Sequence, residues 1–174
     1  MRDDALFCVL SSLRIAELVR SARRAVCYAA PGVQSDVAQA MVDTATRLVP
    51  EMVTVCLDFD ERVMRMGYGD LSAVKLLRKA GISVRSAPGL RTAMVIADDA
   101  GFVFTPIALY LEAEPAGSAA PNAIRMSREQ VAEALARLSP AAKAIAAAQA
   151  RTPDEKARIE TLPVDAGSAQ IPAP

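Results

Sequence analysis

Two short runs of almost unbroken apolarity, Ala25-Val26-Cys27-Tyr28-Ala29-Ala30 and Met52-Val53-Thr54-Val55-Cys56-Leu57, constrain this chain more than any other feature in it. A strand with one wet face alternates apolar and polar residues, whereas a strand covered on both faces reads as a continuous apolar segment. Between the runs, Ser35 or Asp36 caps a helix reaching about Leu48, with Val37, Ala40, Met41, Ala45 and Leu48 on one stripe before Pro50 ends it. Strand, helix and strand at this spacing predict an α/β domain built on a mixed sheet flanked by helices.

The flanking segments extend that pattern. Apolar residues at Leu10, Leu13, Ile15, Ala16, Leu18, Val19 and Ala22 recur at helical spacing, leaving Arg14, Glu17, Arg20 and Arg24 largely on the other side. Asp70 is placed to cap a helix through Ala80, with Gly81 as its C-terminal stop. Ile82 to Ser86 then reads as a short strand before the Pro88-Gly89 turn. Thr92–Ala97 and Phe102–Phe104 flank a turn at Asp98-Asp99-Ala100-Gly101, and Thr105-Pro106 breaks the run ahead of Leu109-Tyr110-Leu111.

The segment from Pro115 to Pro121 has a linker composition. Beyond it, Ser127 with Gln130 forms a capping-box pattern, and Ser139-Pro140 and Thr152-Pro153 each read as a cap followed by proline in the first turn. The helix from Pro140 has little but alanine and Ile145 to bury. The expected organisation is an α/β domain over 1–115, a linker over 116–126, a helical tail over 127–162 and a disordered end over 163–174. Truncation after Glu114 is accordingly predicted to leave a folded core.

Composition narrows the function classes. There is no histidine, and 20 basic residues balance 20 acidic ones, which speaks against nucleic acid as a partner and leaves little charge repulsion to oppose self-association. The three cysteines, Cys8, Cys27 and Cys56, lie in apolar runs without metal-like spacing and read as buried free thiols, so no metal or other cofactor is expected. Two acids open the chain where a secretory signal wants basic residues, and arginines interrupt the first apolar stretch. The expectation is a cytoplasmic protein without a membrane span.

A family resemblance rests on local motifs in sequence order. A helix ending Ser21-Ala22-Arg23-Arg24 leads to the apolar strand closed by Pro31. A second helix ends Leu76-Leu77-Arg78-Lys79-Ala80-Gly81-Ile82-Ser83-Val84-Arg85, and Leu90-Arg91-Thr92-Ala93-Met94-Val95-Ile96-Ala97-Asp98-Asp99 precedes Phe102-Val103-Phe104-Thr105. Together these resemble a single phospholipase D-like domain from Leu10 to Pro115. The resemblance implies that Arg91 stands where the family's nucleophilic histidine would be and Ala93 where its lysine would be, with only Asp98 matching. In active relatives two such motifs meet, one histidine attacking phosphorus and the other protonating the leaving group. Arginine, with its very high pKa, serves in neither role.

The resemblance therefore implies a catalytically inactive, phospholipase D-like interaction or sensing module. It is expected to be homodimeric, with no catalytic residues and with a small anion held near Arg91, Asp98, Thr105 and Tyr68. Two other classes follow in rank: an accessory protein of a nucleic-acid-processing system, and a hydrolase with rerouted metal-dependent chemistry at Asp58 or Asp98. The C-terminal helices offer a surface for a protein partner.

Each candidate also has an ordinary reading, and for most it is the favoured one. Arg91 reads as a strand-edge cation, solvated or paired with Asp98 or Asp99, and Asp98 as a turn residue accepting from nearby amides. Asp58, Asp60 and Glu61 read as a solvated acidic loop before they read as a magnesium site. Gly67-Tyr68-Gly69-Asp70 reads as the start of a helix, and Arg78, Lys79 and Arg85 as a solvated helix end.

Overall fold

The computed structural model describes residues 5–58, 60–114 and 120–163. Its centre is a seven-stranded mixed sheet in the order β1-β7-β6-β5-β2-β3-β4, comprising β1 (Phe7–Cys8), β2 (Val26–Ala30), β3 (Val53–Leu57), β4 (Val84–Ser86), β5 (Ala93–Ala97), β6 (Ala100–Phe104) and β7 (Ala123–Arg125). The two apolar runs are β2 and β3, paired in parallel from Val26 opposite Val53 to Ala30 opposite Leu57. All ten of their residues are buried, as coverage on both faces requires. The α/β class and its mixed, helix-flanked sheet are thus as expected.

One face carries the larger core. Helices α1 (Ser12–Ser21), α2 (Ser35–Leu48) and α4 (Leu71–Lys79) lay Val19, Met41 and Leu77 against Val26, Tyr28, Val55, Leu57 and Val95. Side chains also lock α1 to α2. Arg47 donates from Nη2 to the Arg20 carbonyl at 2.7 Å and from Nη1 to the Ala22 carbonyl at 3.2 Å, which satisfies free acceptors at the end of α1. A six-residue helix absent from the sequence reading, α3 (Glu61–Met66), follows β3.

The second face is covered by α5 (Arg128–Leu138), where Val131 joins Cys27 and Ile96, with Met94, Met126 and Leu135 around them. Gly101 permits this approach: a Cβ there would stand 2.6 Å from Val131 Cγ2. Helices α6 (Pro140–Gln149) and α7 (Pro153–Thr161) pack in succession beyond α5.

These elements correct the expected domain boundaries. Residues 123–125, read as linker, form β7 between β1 and β6. Asn122 fixes that strand from afar, accepting the Leu10 amide at 2.7 Å and donating to the Leu10 carbonyl at 2.9 Å. The first of the helices after residue 127, α5, is one wall of the fold. Leu109-Tyr110-Leu111 is an exposed turn. The start of the expected linker and nearly all of the expected disordered end lie outside the described residues. Among the described residues no helix is long and apolar enough to cross a membrane.

Candidate functional site

Because β5 runs antiparallel to β2 while β3 runs parallel to it, the segment before β5 and the segment after β3 reach the same edge of the sheet. Crevices beyond strand ends are where open α/β sheets hold ligands. Here that topology brings Arg91 to Asp58. Asp58 is 4% exposed and accepts a hydrogen bond from Arg91 Nη1, which also donates to the Leu90 carbonyl at 3.0 Å. Hydrogen bonding to Asp58 holds the Arg91 guanidinium above its ordinary value, with smaller contributions from the charges of Asp58 and Asp60 and from Tyr68.

The ion pair at Arg91 therefore differs from the expected one with Asp98 or Asp99. Asp98 lies past the far end of β5, and its carboxylate accepts from the Arg23 amide at 2.8 Å, the Arg24 amide at 2.7 Å and the Ala25 amide at 3.1 Å. Its φ of 56° is a left-handed conformation that aspartate tolerates in turns. The expected role as an acceptor for amides is present, with partners more than seventy residues away in sequence. Asp99 pairs instead with Arg24 at 2.6 Å and Arg128 at 3.8 Å.

Of the four candidate ligand residues, the fold gathers three. Arg91 and Thr105 line a shallow crevice of about 340 Å³ with Phe7, Val103, Asn122 and Ile124. Tyr68 shares a smaller hollow of about 40 Å³ with Thr105, Tyr28 and Gln34. Asp98 is separated from all of them by the length of a strand. The Gly67–Asp70 turn is held close to the Pro31–Val33 turn: a Cβ on Gly69 would stand 2.3 Å from the Val33 amide nitrogen. Asp70 sits at the start of α4 without capping it by its side chain, and accepts from the Ser35 hydroxyl at 2.9 Å instead.

The acidic segment separates into three roles. Asp58 is buried against Arg91, Asp60 caps α3 by accepting from the Arg62 amide, and Glu61 pairs with Arg65 one turn on. Asp58 is thus no part of a solvated loop, and its position at the end of a wholly buried strand was the available signal. Among the described residues, no group of three or more cysteine, aspartate or glutamate side chains is placed to hold a metal ion. Arg85 is also tied down, donating to the Leu138 carbonyl at 3.4 Å and so joining β4 to the end of α5.

The three cysteines are free. Burial pushes the Cys27 and Cys56 thiols up, so neither is disposed to act as a nucleophile. Cys8 is raised by the same cause, less its proximity to Arg125 and Arg14.

No family model matches this sequence, and no curated protein does. Among solved structures the chain is similar to TrmBL2, an archaeal chromatin protein described as showing a novel mode of DNA binding. The TM-score is 0.44 at 15% identity, covering 76% of this chain and 50% of that one. The chain thus spans about half the length of that protein.

Proposed function

We propose that this chain is a catalytically silent interaction module of phospholipase D-like type that acts as a homodimer, pairing through the uncovered half of its sheet. The observation that carries this reading is a row of apolar side chains in register on the second face. Phe7 of β1 stands opposite Ile124 of β7, and Ile124 opposite Val103 of β6. Phe7 is 59% exposed and Ile124 is 46% exposed, with Leu6 exposed beside them. Helix α5 covers the face around Cys27 and Ile96 and leaves this row open. An apolar row ending at a sheet edge favours a self-complementary contact, and a net charge of zero puts little repulsion in its way.

The silence of the former active site is supported by what Arg91 does. Its charge answers a buried carboxylate, and a guanidinium neither attacks phosphorus nor gives up a proton at neutral pH. Ala93, in the lysine's place, is fully buried in the main core. The small anion expected at Arg91 loses support in the same geometry, because Asp58 and Asp60 already face that cation.

Mass by light scattering tests the reading on the full chain, alongside a phosphodiester reporter with and without magnesium. A dimer without turnover is expected, and Phe7→Ser with Ile124→Ser should yield a monomer with an unchanged circular dichroism spectrum. A wild-type monomer at every concentration would overturn the homodimer. Turnover that disappears in Asp58→Asn would overturn the silent module and favour rerouted hydrolysis.

A further inference from the structure

A cleft lies at the opposite end of the strands, where the three C-terminal helices meet the segment before β2 and the turn between β5 and β6. It encloses about 460 Å³, within the range of small-molecule sites. Its apolar lining comes from every helix of the group: Val131 and Leu135 of α5, Ala142 and Ile145 of α6, and Ile159 of α7, with Ala25 just before β2. Val131, Ala142 and Ile159 are buried.

The charged groups around this lining are unequally satisfied. Asp98 accepts from three amides, and Asp99 is shared between Arg24 and Arg128. Glu155 accepts the Arg151 amide at 2.9 Å, and Glu129 accepts from the Ser127 hydroxyl at 2.8 Å. Arg151 and Arg158 also line the cleft, and neither has a carboxylate within ion-pair distance among the described residues. Arg158 feels Glu129 only at longer range. Two forked donors without an ion-pair partner among the described residues, beside an apolar floor, match an acid group on an apolar body.

We propose that this cleft binds a small apolar carboxylic acid, its carboxylate taken by Arg151 and Arg158 and its hydrocarbon part laid on Leu135, Ile145 and Ile159. The site goes beyond the dimer reading and is independent of it, since it uses none of the residues of the open apolar row. It also gives the C-terminal helices a role beyond packing, because α6 is mostly alanine and, among its described side chains, only Ala142 is buried.

The test uses the full chain with 8-anilinonaphthalene-1-sulfonate as fluorescent reporter, displaced by octanoate or by octan-1-ol, its neutral counterpart. Octanoate should displace the reporter at a single site, and Arg151→Gln with Arg158→Gln should weaken octanoate about tenfold while leaving octan-1-ol unchanged. Arg→Lys at both positions should recover part of the loss. Ala146→Trp, which fills the cleft, should abolish displacement by both compounds in a protein whose circular dichroism is unchanged. Equal displacement by acid and alcohol, or wild-type octanoate affinity in the double glutamine variant, would overturn the proposal. So would loss of octanoate binding in Phe7→Ser with Ile124→Ser, which would place the acid on the open row.

Discussion

The two faces of the sheet are made from the same strands yet are covered in different ways. On one face, three helices with apolar stripes bury a continuous core from Leu10 to Ala123. On the other, α5 alone seals a patch centred on Cys27, Ile96 and Val131, and Phe7 and Ile124 stay open to solvent. Adjacent residues of one strand show the contrast: Tyr28 packs under the helices of the first face, and Cys27 lies beneath α5 on the second. The first face supplies most of the buried apolar area, and the second, with one helix and spare apolar surface, is the side on which contact with other molecules adds burial.

Removing the second face should have the largest effect. Truncation after Glu114 deletes β7 from between β1 and β6 and strips α5 from Cys27 and Ile96. In place of the retained core expected from the sequence, the shortened chain should lose cooperative thermal unfolding. A sharp two-state melt in that chain would show that the first face suffices.

Single truncations sharpen the contrast. Met41 is fully buried on the first face, and Met41→Ala should cost about 2–5 kcal/mol in denaturant unfolding. Val131 is 3% exposed on the second, and Val131→Ala should cost about 1.5 kcal/mol for its two lost methyl groups. Equal losses would mean that the faces form one equally cooperative unit.

The smallest effect comes from titration and reaches both faces through neighbouring residues. Burial pushes the Cys27 thiol and the Tyr28 hydroxyl up, so both keep their protons to higher pH in the native chain. Unfolding restores both to ordinary values, so above about pH 9 the unfolded chain releases protons that the native chain keeps. The contribution of these two groups should be constant below that pH and be lost as pH rises through it. Cys27→Ala should reduce the slope, which equilibrium unfolding at a series of pH values measures. A slope left unchanged by Cys27→Ala with Tyr28→Phe would assign it wholly to the other raised thiols, Cys8 and Cys56.

Much of the local structure was legible in the sequence because its signals are local. Ser127 and Gln130 form the full capping box, Ser139 and Thr152 cap the helices that begin at Pro140 and Pro153, and Gly81 adopts a φ of 79° just past α4. Where the local rule had two solutions it misplaced the cap: Gln34 and not Ser35 precedes α2, and Ser35 donates to Asp70 across the turn. The strands β1 and β7 were missed because two or three residues are too few to show a period, and they exist only through the partners they find.

The order of amino acids was enough to place β2 and β3 under cover on both faces with helices beside them, and to deny phosphohistidine chemistry to a chain without histidine. Those conclusions follow from residue type and short-range spacing. Only the tertiary structure decided that Arg91 answers Asp58, that Asp98 holds the start of β2, and that the C-terminal helices close a cleft beside it. Strand order and direction set which chain ends meet, and a charge pairs with whatever that topology places within reach.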